Sequence, residues 1–126
     1  MTHEYTLLVG GTVLPGLRAA PVSAVAWAEG TILALGDEDT VRGISRGDSH
    51  VIALDGAFVV PIGRDERVTW PPAVTLEVGG PATLAILDAD PRPEATFADG
   101  AREVVAMVRD GRLVRGRLPA RTAGPR

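Results

Sequence analysis

The chain has no cysteine, lysine, asparagine or glutamine among its 126 residues. Without cysteine it can form no disulfide, no thiolate metal ligand and no thiol nucleophile. Without lysine it has no side-chain amine to form a Schiff base, act as a general base or bridge metals as a carbamate. Histidine is nearly missing as well, being confined to His3 and His50. A catalytic zinc ion takes about three protein ligands and keeps one position open. His50 with Asp48 and Asp55, or His3 with Glu4, offers a single imidazole and carboxylates, so no metal ligand set is assigned. There is no apolar run near the roughly 20 residues a membrane span needs. The opening MTHEY has no signal-peptide pattern, so the default expectation is a cytoplasmic protein with no membrane contact.

What is present belongs to one folded domain. Hydrophobic residues make up 45% and charged residues 23%, the balance of a chain that buries a core. Fifteen glycines and ten prolines favour many turns between short strands. The net charge of −3 is uneven, because Arg102 to Arg126 contains seven arginines against Glu103 and Asp110. That basic end is expected to line the wet face of a hairpin and a loose tail. Nucleic acid is disfavoured as a partner, because no aromatic residue lies among those arginines to stack on bases.

Nucleophilic catalysis has little support. Ser49 and His50 are adjacent, and adjacent side chains in an extended segment point to opposite faces. Ser23 and Ser45 have no evident base. The acidic clusters Asp37-Glu38-Asp39, Asp65-Glu66 and Asp88 with Asp90 read most simply as a helix cap, a solvated loop and a strand terminator. No catalytic residue and no cofactor are assigned.

Along the chain, YTLLVGGTVL reads as a strand, a Gly10-Gly11 turn and a second strand from Thr12, closed by Pro15-Gly16. AVAWAEGTILALG is a hairpin turning at Glu29-Gly30, where glycine tolerates the positive φ of a tight turn. Trp27 in it belongs to the core. Asp37 is placed to cap one short helix near residues 38–46, with Val41 and Ile44 on one face. HVIALDGAFVV follows the same plan as the first hairpin, with Asp55-Gly56 at its turn. A strand runs from Leu84 to Leu87, and EVVAMVRDGRLVRG is a further hairpin turning at Asp110-Gly111. The fold class expected is all-β: a small β-sandwich or barrel of short, mostly antiparallel strands with a single short helix. The hairpins at Gly30 and Gly111 look alike through shared turn chemistry rather than as a repeat.

Together these segments resemble the flanking parts of amidohydrolase-superfamily enzymes, the metal-dependent hydrolases. LLVGGTVL, AVAWAEGTILALG, VIALDGAFVVPIG, VGGPATLAILDADP and VVAMVRDGRLVRG stand in that family's order. The resemblance implies a composite β-sandwich built from both ends of the chain, into which such enzymes insert a metal-bearing (β/α)8 barrel. The departures are as informative. After Pro61-Ile62-Gly63 the family continues into a His-x-His metal pair, whereas this chain has Arg64-Asp65-Glu66-Arg67. The barrel is replaced by a loop at about residues 63–73, and position 83 is Thr where the family usually has Asp. The domain is expected to span residues 1–118, with 119–126 a disordered tail.

A sandwich without its barrel must cover the face that the barrel would have covered. Val68, Trp70, Pro71 and Pro72 are the candidates for folding back over it or for meeting a partner there. The function expected is a non-catalytic structural or interaction module. Its partner is expected to be a second copy of the chain or a separate barrel-containing protein. A subunit completing a hydrolase of carbon–nitrogen bonds and a small-ligand-binding sandwich are the alternatives.

Overall fold

Two short stretches of chain run side by side through both layers of this protein. The structure, a computed structural model, describes residues 5–16, 18–44, 49–63, 68, 72, 74–91 and 104–117. Strand β1 (Tyr5–Val9) and strand β5 (Ser49–Ala53) pair in parallel in a four-stranded sheet of order β4-β3-β1-β5. Their continuations, β2 (Thr12–Val13) and β6 (Phe58–Pro61), pair in parallel in a five-stranded sheet of order β2-β6-β7-β8-β9. The remaining strands form hairpins or return segments: β3 (Ala24–Ala28) with β4 (Thr31–Gly36), β7 (Leu84–Leu87), and β8 (Val104–Arg109) with β9 (Arg112–Gly116). The protein is all-β with one helix, α1 (Glu38–Arg42), among the described residues.

The double crossing corrects the reading of Asp55-Gly56 as a hairpin. The tight turn itself forms: Asp55 and Gly56 have φ of 54° and 86°, and Ala57 N–H donates to Leu54 O at 3.0 Å. The flanking strands nevertheless separate into different sheets, because β1 and β2 already occupy their hydrogen-bonding edges. Leu54 N–H donates to Val9 O, Gly56 N–H to Gly10 O and Thr12 N–H to Ala57 O, at 2.7, 3.1 and 3.0 Å. The corner is tight enough to require glycine at position 11, where a Cβ would fall 2.5 Å from Ala57 O and 2.6 Å from Leu54 Cβ. Turn residues fix local geometry, and the partner that takes the adjacent donors fixes topology.

The core lies in three layers. Between the sheets, Leu8, Val25, Trp27, Ile32, Val59, Leu84, Ile86 and Val108 form the main cluster, all 3% exposed or less. On the far side of the four-stranded sheet, Val41 of α1 packs with Leu7, Ala24, Ala26 and Ala34. The small residues there let a single helical turn lie close to the strands. On the far side of the five-stranded sheet, Leu14, Val60, Ile62, Ala85, Leu87 and Met107 make a third cluster. Because all three layers are filled, β3 and β7 are apolar and buried at every position, the pattern of strands covered on both faces.

The helix is held by local chemistry that the sequence displays. The Asp37 carboxylate accepts the Thr40 N–H at 2.7 Å, and Glu38 and Asp39 sit in the first turn. Arg42 Nε donates to Glu38 Oε2 at 2.7 Å across one turn. The helix occupies the first part of the expected 38–46 interval, and Ile44 packs beside it on the second cluster.

Candidate functional site

The geometry of β6 and β7 decides where a site can be. They pair antiparallel from Phe58–Leu87 to Pro61–Leu84, so the chain leaves the sandwich after Pro61 and returns at Leu84 as an immediate neighbour. From Leu76 onward the returning segment is tied back to the same domain. Leu76 is 3% exposed in the main core, and its N–H donates to Pro15 O at 2.9 Å. Gly79 N–H donates to Ile32 O at 2.8 Å, and Ile32 N–H to Gly80 O at 2.9 Å. Residues 79–81 therefore run along the outer edge of β4, where Thr31 also bridges Pro81.

The Asp110-Gly111 turn closes this end from the other sheet. Gly111 N–H donates to Ala82 O and Ala82 N–H to Gly30 O, both at 2.9 Å. Asp110 N–H donates to the Thr83 hydroxyl at 3.1 Å. Thr83 thus has a structural task, accepting the N–H of a hairpin tip. Two open concavities flank this junction. One, of about 670 Å3, is lined by Pro61, Ile62, Gly63, Thr75, Thr83 and Arg109 and marks the point where the strand leaves the sandwich. The other, of about 1080 Å3, lies beside Trp27, Thr31, Pro81, Arg112 and Val114.

The residues singled out in the sequence are described only in part. Val68 is half-buried and packs on the third cluster with Phe58 and Val104. Pro72 is half-buried, and Trp70 and Pro71 lie outside the described residues, as do His3, Glu4, Asp48 and the 119–126 tail. The face that carries Val60, Ile62 and Met107 is buried within the single chain. His50 is half-buried on β5 opposite Thr6. Asp55 is exposed in the turn beyond the far end of that strand, five residues and roughly 16 Å of extended chain away. Among the described residues no three His, Asp or Glu side chains come together to hold a metal, and none of these side chains is fully buried. No described helix is long and apolar enough to cross a membrane.

Sequence reasoning missed the exposed apolar residues of this end. Leu113 and Val114 on β9 are 44% and 47% exposed, and Val78 is 63% exposed. In the sequence they look like ordinary strand or loop residues; for Leu113 and Val114 it is the sheet order that shows β9 ending its sheet, with no described strand beyond it.

No family model matches the chain, and no curated protein matches it. Two solved structures are similar to part of it. An uncharacterised metal-dependent hydrolase from Pyrococcus furiosus matches at 28% identity and a TM-score of 0.42, over 46% of this chain and 13% of that one. An uncharacterised metal-dependent hydrolase from Pyrococcus horikoshii OT3 matches at 23% identity and the same TM-score of 0.42, over 46% of this chain and 12% of that one. The chain spans only a small fraction of those proteins' lengths, and the likeness is a partial one.

Proposed function

We propose that the chain is a non-catalytic structural or interaction module, similar to the composite domain of metal-dependent amidohydrolases and closed on itself where such enzymes carry a barrel. The observation that supports this reading is the pairing of Pro61 with Leu84. A segment bounded by two hydrogen-bonded neighbours needs no inserted domain to bring its ends together, and a short loop closes it at small entropic cost. The burial of Leu76 and the bonds from Gly79 and Gly80 to Ile32 supply the closure from the chain itself.

A second reading takes its support from the concavity beside Gly63 and Thr83. It lies where a separate barrel-containing protein would meet the sandwich, making this chain one subunit of a hydrolase. A small-ligand site there is favoured less, because no fully buried polar side chain among the described residues is available to orient a ligand.

Elemental analysis and light scattering on the purified chain test the first reading. The expected result is no metal ion in whole-number proportion to the chain and no hydrolysis of cyclic amides. One tightly held ion per chain with accompanying amide hydrolysis would overturn it. Hydrolysis that appears only on mixing with a barrel-containing protein would establish the second reading in its place.

A further inference from the structure

The two hairpins share more than their turns. In each, the two turn residues have positive φ: 53° and 80° at Glu29-Gly30, 49° and 80° at Asp110-Gly111. In each, the outer strand then carries one extra residue, three positions after the glycine. Trp27 faces Ile32 and Ala26 faces Ala34, leaving Leu33 over; Val108 faces Leu113 and Met107 faces Arg115, leaving Val114 over. Position by position, Ile32 on β4 corresponds to Leu113 on β9.

On β4 that position has a strand-like partner. Ile32 turns its N–H and C=O outward and exchanges both with Gly80 and Gly79. The same register turns the Leu113 N–H and C=O to the outer edge of β9, since paired residues next to the closing pair of a two-residue hairpin do not bond to each other. There, among the described residues, no segment lies alongside. β9 ends the order of its sheet, all five of its residues are exposed, and Leu113 and Val114 present apolar surface.

We propose that the outer edge of β9, centred on Leu113, receives an extended acidic segment of a partner protein by strand addition. Arg112 and Arg115 lie on the strand and Arg117 just beyond it, all exposed, and none of the three forms an ion pair among the described residues. Charges on a sheet edge usually discourage pairing. Here they are of one sign, which disfavours like-charged strands and favours an acidic one. A second copy adding its own β9 would bring arginines against arginines. Nucleic acid would meet no aromatic residue from Arg102 to Arg126. The added segment would repeat on β9 what Gly79–Pro81 does on β4.

The proposal rests on the interaction reading above and is tested on the full chain by fluorescence anisotropy. The probes are labelled peptides of roughly ten residues: alternating Val and Glu, alternating Val and Lys, and the Val/Glu peptide with proline at every second Val. The Val/Glu peptide is expected to bind at least about ten-fold more tightly than either control, the equivalent of one hydrogen bond or charge contact. Leu113→Pro deletes an N–H that points away from β8, as an edge strand tolerates, and should weaken binding by a similar factor. Arg112→Glu combined with Arg115→Glu should transfer the preference to the Val/Lys peptide. If Leu113→Pro fails to fold by circular dichroism, the charge-reversed variant decides alone. Equal binding of the Glu and Lys peptides, undiminished binding of the proline peptide, or binding of single-stranded oligothymidine in place of peptide would overturn the proposal. If no peptide binds while light scattering still shows association with itself or with a barrel-containing protein, the edge proposal fails and the interaction reading stands. Absence of both removes the two together.

Discussion

The hairpins β3–β4 and β8–β9 start from the same local chemistry and end in opposite environments. Each has an acid-glycine turn with positive φ and an extra residue three positions on. Their tips meet, with a Cβ on Gly111 falling 3.0 Å from Gly30 Cα and one on Gly30 falling 2.9 Å from Asp110 O. Yet β4 is bounded on its edge by Gly79–Pro81 and faces α1 on its outer side, whereas β9 is exposed at every residue. Local sequence sets a hairpin's shape; what the rest of the chain lays against it sets which residues carry stability and which are free for contact.

The sharpest way to break that comparison is to truncate the corresponding residues. Ile32 is fully buried and Leu113 is 44% exposed. Ile32→Ala should cost about 2–5 kcal/mol, the range for emptying a packed core position. Leu113→Ala should cost less than about 1 kcal/mol, since much of that side chain already meets water. Denaturant unfolding of both variants measures the difference, and equal losses would mean that β9 is covered in solution.

The junction of the tips offers the next largest effect. Gly30→Ala and Gly111→Ala each place a Cβ on a left-handed backbone, costing about 1–2 kcal/mol before any crowding. Since each new methyl would press on the opposite turn, the double variant should depart from additivity by about 0.5 kcal/mol or more. A double-mutant cycle by chemical unfolding checks this, and strict additivity would show that the tips do not touch.

A smaller effect separates the way the two tips are tied to the return segment. Both turns are tied through backbone, Ala82 N–H to Gly30 O and Gly111 N–H to Ala82 O, but the second has an added bond, from the Asp110 N–H to the Thr83 side chain. Thr83→Val removes that acceptor and should cost about 0.5–1.5 kcal/mol. Water reaches this exposed bond, so the lower end is expected. Hydrogen exchange of the Asp110 amide should accelerate while the Gly30 turn is unaffected; equal acceleration at both would show the return segment loosening as a unit.

Much of this architecture was legible in the chain, for reasons that differ by region. The Leu84–Leu87 strand, the tips at Gly30 and Gly111 and the Asp37 cap were readable because their determinants are local: a short continuous apolar run, turn dipeptides, a capping side chain. Asp55-Gly56 misled because the same dipeptide closes a hairpin or turns a corner, and the choice rests with Val9, Gly10 and Thr12, more than forty residues earlier. The edge at Leu113 was invisible for a related reason. Exposure of a sheet edge is a property of strand order, and strand order is non-local.

The smallest predicted effect lies on the helix that distinguishes β4 from β9. The Asp37 carboxyl is held below its ordinary value of 3.8, chiefly by the Thr40 backbone N–H it accepts and then by the Thr40 side chain. Since folding lowers this pKa, the folded state favours the charged carboxylate. The stabilisation is present above the ordinary value and is lost as pH falls through the lowered one. Asp37→Asn keeps a capping oxygen and removes the charge, so its thermal midpoint should match the parent's more closely as pH drops below about 4. Asp37→Ala should lower the midpoint at neutral pH and loosen α1, opening Ala24, Ala26 and Ala34 to solvent. A gap between the parent and Asp37→Asn that persisted below that range would place the stabilisation elsewhere than in the capping charge. Loss of the helix without exposure of those alanines would show that α1 is not what shields this face of β3 and β4.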